Sequence, residues 1–208
     1  LIAGGTGMVG SSIYRNLIKK GYGNAKNKGL ISSPTRKELD LIDKDAVRRW
    51  FKNNLPDVVI IAAAKVGGIL ANYESPYVFL FENLKIELNL IEISWEFKVK
   101  RLLFLGSSCI YPKYSHQPIK EEYLLTGELA PTNEYYAIAK IAGIKMCQAL
   151  RSPFNFDAIS LMPTNLYGFG DNYDKYSSHV LPALIRKIWE GKEHSLPSVR
   201  CWGTGSPL

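Results

Sequence analysis

The fold is decided by one stretch at the start of the chain, Leu1-Ile2-Ala3-Gly4-Gly5-Thr6-Gly7-Met8-Val9-Gly10. Its first three residues are apolar and predict a β-strand, and the apolar positions from Met8 to Lys20 predict a helix. Glycines between strand and helix let the backbone turn tightly and approach a pyrophosphate at the helix N-terminus. We therefore expect a dinucleotide to bind at Gly4, Gly5, Thr6, Gly7, Met8, Val9 and Gly10. The alternative is a plain turn, because glycines end strands for other reasons as well.

The alternation of strand and helix continues along the chain. Apolar runs predict further strands at 29–33, 58–64, 101–106 and 158–162. Helices are predicted after the cap residue Asp43 and over 80–97, 135–150 and 179–190. Continuous apolar strands alternating with helices predict an α/β fold, a Rossmann-like, doubly wound parallel sheet with helices on both faces. We assign 1–165 to this cofactor domain.

The pattern changes after Pro163, where Gly, Pro, Asn and Tyr become frequent. We interpret 166–208 as the start of a smaller substrate-binding domain. Both ends of the chain interrupt an element of the pattern, so we expect the sequence to be part of a longer protein.

Composition narrows the class of protein. The 208 residues are 46% hydrophobic and 22% charged, which excludes disordered and collagen-like chains. The net charge is +7, but the basic residues are scattered over predicted helix surfaces, so no nucleic-acid partner is expected. No apolar window approaches the ~18 residues needed to cross a bilayer, so no membrane partner is expected either.

The 3 cysteines, at positions 109, 147 and 201, are far apart in the sequence. No pair has the spacing of a zinc or redox motif, so no metal site is expected. A reduced, cytoplasmic protein is the simplest interpretation.

The segment after the second predicted strand indicates which dinucleotide binds. Proteins that bind NAD usually have an acidic residue there for the ribose 2′-hydroxyl. This chain has Ser32-Ser33-Pro34-Thr35-Arg36-Lys37 instead. Arg36 and Lys37, with a hydroxyl neighbour, can bind a 2′-phosphate, which favours NADP(H) over NAD. The alternative is that both are ordinary surface charges.

A tyrosine and a lysine, Tyr136 and Lys140, are four positions apart on a predicted helix and share one face. A nearby ammonium favours the phenolate, so we expect it to lower the pKa of Tyr136. Ser107 follows the strand at 101–106, and ligands of open parallel sheets bind at such strand ends. The three side chains predict a site that can hold a carbonyl oxygen and protonate it.

These residues resemble the extended short-chain dehydrogenase/reductases. Four longer stretches resemble one branch of them, the GDP-L-fucose synthases: Ala62-Ala63-Ala64-Lys65-Val66-Gly67-Gly68-Ile69, Leu105-Gly106-Ser107-Ser108-Cys109-Ile110-Tyr111-Pro112-Lys113, Glu134 to Lys145, and Met162-Pro163-Thr164-Asn165-Leu166-Tyr167-Gly168. The resemblance covers essentially the whole chain. It implies NADPH-dependent epimerisation and reduction of GDP-4-keto-6-deoxy-D-mannose, a GDP-sugar partner and a homodimer.

The resemblance also implies roles for individual residues. Cys109 and His179 would exchange protons on opposite faces of the sugar, at the carbons beside the keto group. From residue type alone, a lone cysteine or histidine is more typical of a structural position. During reduction, Tyr136 would protonate the carbonyl oxygen, Lys140 would orient the ribose, and Ser107 would hold the carbonyl.

The remaining implied contacts belong to the cofactor and the sugar nucleotide. The adenosine end would meet Arg36, Lys37, Glu38, Leu39, Asp40 and Leu41. The rest of the cofactor would meet Leu105, Gly106, Ser107, Ser108, Lys140, Pro163, Thr164, Asn165, Leu166 and His179. The GDP-sugar would meet Lys187 and Trp202. Lys187 stands where an arginine is common in the family. Thr6 stands where some members have an arginine in the glycine turn, so binding of the 2′-phosphate would depend more on Arg36.

Other interpretations remain open. A different nucleotide-sugar epimerase or reductase would use the same fold. A 4,6-dehydratase typically has an Asp-Glu pair after the position of Ser107, whereas this chain has Ser108-Cys109. A non-catalytic NADP-sensing protein would be favoured by loss of Tyr136 or Lys140, and both are present.

Overall fold

The computed structural model describes residues 1–24, 29–201 and 203. It confirms the predicted alternation of strands and helices. Four strands form one parallel sheet in the order β1-β2-β3-β4. They are β1 (Ile2–Ala3), β2 (Val58–Ile61), β3 (Arg101–Leu105) and β4 (Ala158–Leu161).

The helices are α1 (Met8–Lys19), α2 (Lys44–Asn54), α3 (Ile69–Glu74), α4 (Pro76–Glu96), α5 (Glu134–Phe154) and α6 (Val180–Glu193). Short 3-10 turns cover Ser108–Ile110 and Glu121–Tyr123. The predicted cap is confirmed, because the Asp43 carboxylate accepts hydrogen bonds from the amides of Asp45 and Ala46. The short helix α3 was not expected from the sequence, and α4 begins earlier than predicted, with Pro76 in its first turn.

The hydrophobic core lies between the sheet and three helices. In the strands, Val59 is paired with Leu102 and Ile61 with Phe104, and all four side chains are fully buried. They belong to one apolar cluster with side chains of α2, α4 and α5. Helices α4 and α5 also pack directly against each other. These three helices therefore cover one face of the sheet.

Helix α1 covers the opposite face. The Ile2 amide donates to Ser32 O on one edge of β1, whereas Leu1 O and Ala3 O accept from β2 on the other edge. After β1 the chain passes through α1 to the segment at 29–33 on one edge of β1. It then passes through α2 to β2 on the opposite edge. Right-handed crossovers in opposite directions place helices on opposite faces. The doubly wound arrangement is confirmed.

The prediction of a second strand at 29–33 is wrong, because the structure has no strand there. This segment lies beside β1, and the backbone bond that the structure shows between them runs from the Ile2 amide to Ser32 O. β1 pairs with β2 over the same two residues, so its length does not prevent a ladder. The next bond on this edge would run from residue 34 to Ile2 O, and Pro34 has no amide hydrogen to donate.

Buried amide side chains of α4 attach loops to this helix. Asn83 accepts from the Lys65 amide at 2.8 Å and donates to Lys65 O at 3.0 Å. Asn89 donates to Leu41 O at 2.8 Å and to Ile42 O at 3.0 Å. α4 thus fixes the loop that follows β2 and the segment that precedes α2.

Shortening a core side chain of β3 should destabilise the protein. Leu102 is 0% exposed and Leu30 is 85% exposed. We expect Leu102→Ala to lower the free energy of unfolding by about 2–5 kcal/mol, because it leaves a cavity. The matched change Leu30→Ala should alter it by less than about 0.5 kcal/mol. Urea unfolding measures both, and equal losses would contradict this placement of the core.

Candidate active site

The glycine turn has the backbone geometry predicted from its sequence. Gly4 has a φ of +84°, and a Cβ there would lie 2.6 Å from Ala63 N and Cα in the loop after β2. A Cβ at Gly10 would collide with Gly4 O, and one at Gly5 with Ser33 Oγ. Gly7 caps α1 without a side-chain hydrogen bond. Neighbouring backbone therefore excludes side chains at positions 4 and 10. The uncapped amides at the start of α1 are available to bind a phosphate group.

The segment around Arg36 departs from expectation in one respect. Arg36, Lys37 and Glu38 are exposed, whereas Leu39 is buried in the core. The Thr35 hydroxyl, expected to assist Arg36, donates instead to Glu38 at 2.9 Å, and the Thr35 amide donates to the same carboxylate at 2.7 Å. These bonds lower the pKa of Glu38. Glu38 therefore places a negative charge two positions after Arg36 and next to Lys37, so the two basic residues have an acidic neighbour.

Three of the predicted catalytic side chains meet where β3 ends. Ser107 Oγ and Cys109 Sγ are 2.9 Å apart in a hydrogen bond. Ser107 also forms a hydrogen bond with Tyr136, whose helix α5 begins at Glu134. Lys140 lies one turn further along, with Nζ 5.8 Å from the centre of the Tyr136 ring. The structure thus brings Ser107, Tyr136, Lys140 and Cys109 together, and their catalytic roles stay predictions.

The expected lowering of the Tyr136 pKa is wrong for this structure. Burial raises the pKa of Tyr136, and the charges of Cys109 and Glu87 raise it further, while the hydrogen bond with Ser107 opposes them. Burial is the largest cause, and the Lys140 ammonium, which was expected to oppose it, is paired with the carboxylate of Glu87 at 2.9 Å. Its charge is therefore balanced elsewhere, and Tyr136 is a neutral phenol, the form that donates a proton.

Cys109 is also held in its protonated form. Burial raises the pKa of its thiol, although the hydrogen bond with Ser107 and the charge of Lys140 act in the opposite direction. Cys109 can therefore release a proton to a developing carbanion, or accept one after it has lost its own.

Glu87 was missed by the sequence reasoning. It is 1% exposed and lies on the buried side of α4, with Asn83, Leu90 and Ser94. The signal was available, because a carboxylate at a core position of a helix requires a partner. What the sequence could not show was that the partner is Lys140 on another helix.

The segment before His179 lies beside the loop that follows β2, at the carboxyl edge of the sheet. Among the described residues, no hydrogen bond or ion pair joins the His179 side chain to Ser107, Cys109, Tyr136 or Lys140. The segment before His179 is attached to this loop, since the Gly68 amide donates to Ser177 O at 2.9 Å. A Cβ at Gly68 would lie 2.5 Å from Ser178 O. Gly68 is thus a second residue that the sequence reasoning left without a role.

The other predicted binding residues lie partly at this edge. The Gly106 amide donates to Leu161 O at 2.8 Å, and the Ser108 amide to Pro163 O at 3.3 Å. These bonds hold the turn at 105–108 beside the turn at 163–166, whose residues Thr164, Asn165 and Leu166 are exposed. Lys187, on α6, donates to Arg200 O at 3.4 Å. Trp202 lies outside the described residues.

The fold and this arrangement define a class: a dinucleotide-binding α/β protein with a Ser-Tyr-Lys site at the carboxyl edge of its sheet. The chain belongs to the NAD dependent epimerase/dehydratase family, which it matches over residues 1–208. In the part of the chain that the structure describes, every helix is too short or too polar to cross a membrane.

Individual relatives extend the comparison. The chain is 54% identical to GDP-L-fucose synthase 1 of Arabidopsis thaliana over 207 residues, 100% of this chain and 62% of that protein. It is 49% identical to GDP-L-fucose synthase of Escherichia coli over 207 residues, 100% of this chain and 63% of that protein. A solved GDP-mannoheptose C4 reductase from Campylobacter jejuni with NADP bound is 37% identical, with a TM-score of 0.82, over 94% of this chain and 57% of that one. The chain thus spans about three fifths of these relatives.

A methyl group at Gly68 should loosen the segment that carries His179. We expect Gly68→Ala to raise amide hydrogen exchange at the start of α6 by about tenfold, because the new Cβ cannot fit beside Ser178 O. The control is Gly127→Ala, whose Cβ would meet only the Pro112 side chain, at 3.2 Å. Equal exchange in the two variants would show that Gly68 does not fix this segment.

Proposed function

We propose that the protein to which this chain belongs epimerises GDP-4-keto-6-deoxy-D-mannose at carbons three and five and reduces its 4-keto group with NADPH, which gives GDP-L-fucose. The observation that carries the proposal is the cluster of Ser107, Cys109, Tyr136 and Lys140 at the carboxyl end of β3. Ser107, Tyr136 and Lys140 are the side chains that would assist reduction of the carbonyl. The Cys109 thiol adds a group that can exchange protons with the carbons beside that carbonyl. GDP-L-fucose synthases at 54% and 49% identity support this substrate.

The residues present fit NADP(H). The turn at Gly4 and Gly10 leaves no room for side chains, and the uncapped start of α1 offers amides to a pyrophosphate. Arg36 and Lys37 would hold the 2′-phosphate, against the charge of the neighbouring Glu38. When bound, the cofactor supplies the hydride. The solved relative from Campylobacter jejuni, with NADP bound, supports this choice over NAD.

The side chains divide the proton transfers between them. The 4-keto group acidifies the protons on carbons three and five. Cys109 would serve one face of the sugar and His179 the other, and the raised pKa of Cys109 makes the thiol its resting form. During reduction Ser107 would hold the carbonyl oxygen while Tyr136, a neutral phenol, donates its proton to it. Lys187 and Trp202 would bind the GDP-sugar.

A second candidate is a GDP-sugar C4 reductase that does not epimerise, favoured by the similarity to the GDP-mannoheptose C4 reductase. It would use Tyr136, Lys140 and Ser107 in the same way and leave Cys109 without a catalytic role. Exchange of the carbon-bound protons separates the two candidates.

The proposal predicts that Cys109→Ser blocks epimerisation. The full-length protein with NADPH and the GDP-4-keto-6-deoxy sugar in heavy water should place solvent deuterium on carbons three and five. We expect the serine variant to lose at least about 100-fold of this uptake, since a hydroxyl is a far weaker acid than a thiol. Mass spectrometry of the sugar measures the uptake.

Two controls define the outcome. Cys201→Ser changes an exposed thiol and should leave deuterium uptake at the wild-type level. The dissociation constant for NADPH should be the same in all three proteins. Reduction without deuterium uptake in the wild type would establish the second candidate instead, and unchanged uptake in Cys109→Ser would remove Cys109 from the mechanism.

We also propose that the protein is a homodimer joined through α4 and α5. Their outer sides expose apolar side chains, including Phe81, Leu88 and Ile138. Leu88→Glu should halve the mass measured by sedimentation, because it places a charge in a dimer interface from which water is excluded. A wild-type protein that sediments as a monomer would contradict the dimer. The cytoplasmic location stays a prediction.

A further inference from the structure

The carboxylate of Glu87 faces the catalytic lysine across the contact between α4 and α5. Glu87 Oε1 is 2.9 Å from Lys140 Nζ, and the two side chains are 2% and 3% exposed. Lys140 Nζ is also 4.7 Å from the centre of the Phe104 ring, which lies on β3. The ammonium is therefore enclosed by one carboxylate, two aromatic rings and the sheet, and Glu87 is its only ionic partner among the described residues.

The chain makes room for this pair. A Cβ at Gly143, on α5, would lie 2.5 Å from Phe104 Cζ and 3.0 Å from Glu87 Oε2. Gly143 does not have a positive φ, so its backbone conformation does not require glycine. Glycine is needed because the Phe104 ring and the Glu87 carboxylate occupy the space that a side chain would fill. The close approach of α5 to Glu87 and Phe104 sets the depth at which the Lys140 ammonium lies.

Burial removes both charges of the pair from solvent, which is unfavourable. Glu87 Oε1 lies 2.9 Å from Lys140 Nζ, and neither oxygen of Glu87 has another hydrogen-bond partner among the described residues. Burial raises the pKa of Glu87 from 4.5 to about 7, although Lys140 acts in the opposite direction. A buried ion pair of this kind is often no more stable than two apolar side chains. Its presence beside Tyr136 therefore calls for a role in the site.

Few other titratable groups face Glu87. On α5 they are Lys140, Tyr136 and Cys147, whose pKa is raised to about 11, mainly by burial and less by Glu87. From the turn after β3, Cys109 acts on Tyr136 and Lys140. From α2, Lys44 and Arg48 are engaged further along α4, with Glu92 and Glu96.

We propose that Glu87 is a positioning residue for the reaction: it holds the Lys140 ammonium beside Tyr136, and its charge limits how strongly that ammonium stabilises the Tyr136 phenolate. This inference rests on the proposed function in so far as Tyr136 donates the proton. It goes beyond that function, because it adds a residue that touches neither substrate nor cofactor.

The sign of the effect follows from the charges. Below about pH 7 Glu87 is protonated, and the full charge of Lys140 acts on Tyr136. Above that pH the carboxylate offsets the ammonium and raises the pKa of Tyr136, so proton donation slows. A neutral, isosteric residue at position 87 should remove this slowing. The ratio of the Glu87→Gln rate constant to the wild-type rate constant should therefore rise with pH.

The first test measures that ratio in the full-length protein. The rate constant for NADPH oxidation is followed in single turnovers with the GDP-4-keto-6-deoxy sugar between pH 5.5 and 8.5. We expect the ratio for Glu87→Gln to rise by about tenfold, which corresponds to about one pKa unit on Tyr136. A ratio that stays constant or falls with pH overturns the inference, because a merely structural role would move the rate equally at every pH.

Two further variants sharpen this test. Glu87→Asp keeps the charge while shortening the side chain, so it should retain the wild-type pH dependence even where its rate is lower. Glu92→Gln makes the same chemical change one turn and a half away, on a residue whose partner is Lys44 at 2.7 Å. Its ratio should stay near one at every pH. A rise in the Glu92→Gln ratio equal to that of Glu87→Gln overturns the inference.

The second test needs neither substrate nor a folded Glu87→Gln protein. Carboxyl-carbon NMR should show one glutamate with a midpoint near pH 7 in the wild type, and Lys140→Met should raise that midpoint by about one unit or more. No glutamate titrating above about pH 6, or a midpoint indifferent to Lys140→Met, overturns the pairing. If the wild type oxidises no NADPH with the sugar, the proposed function fails, while this titration still decides whether Glu87 and Lys140 are coupled.

Discussion

The contact between α4 and α5 over the middle of the sheet is the constraint on which the site depends. Each helix contributes one charged side chain to a buried region, and the two charges, Glu87 and Lys140, are 2.9 Å apart. Either charge alone would be strongly unfavourable there. The register between the two helices is therefore fixed by electrostatics as well as by apolar packing, and with it the height of Tyr136, one turn before Lys140.

The second constraint is close approach of backbone to backbone. Gly4 lies against Ala63, and Gly68 against Ser178, at distances that exclude a side chain. Both contacts involve the loop after β2, which Asn83 attaches to α4. One loop thereby joins the phosphate-binding turn, the segment before His179 and the helix that carries Glu87. The loops of a parallel sheet converge at the carboxyl ends of its strands, and these glycines allow them to converge closely.

Local patterns in the sequence predicted the parts of this structure that depend on near neighbours. The cap at Asp43, the apolar strands, the glycine turn and the shared face of Tyr136 and Lys140 all follow from spacing within one element. The segment 29–33 shows where such patterns fail, since an apolar run does not show whether the neighbouring strand forms a ladder with it. The pKa of Tyr136 shows the same limit for chemistry. Its shift is set by burial, then by Cys109 and then by Glu87, which lies 49 positions earlier in the sequence. Glu87 itself could have been suspected as a charge at a core position of α4, but its partner could not.

In the proposed reaction, the cluster beside Glu87 and Lys140 directs a hydride and a proton to the same carbonyl. Deuterium can be followed from NADPH labelled at carbon four of the nicotinamide, with the full-length protein and the GDP-4-keto-6-deoxy sugar. We expect one deuterium on carbon four of the sugar product, and none in the product formed by Tyr136→Phe within the same time. A product without deuterium at that carbon, or equal labelling by Tyr136→Phe, would contradict the proposed reaction.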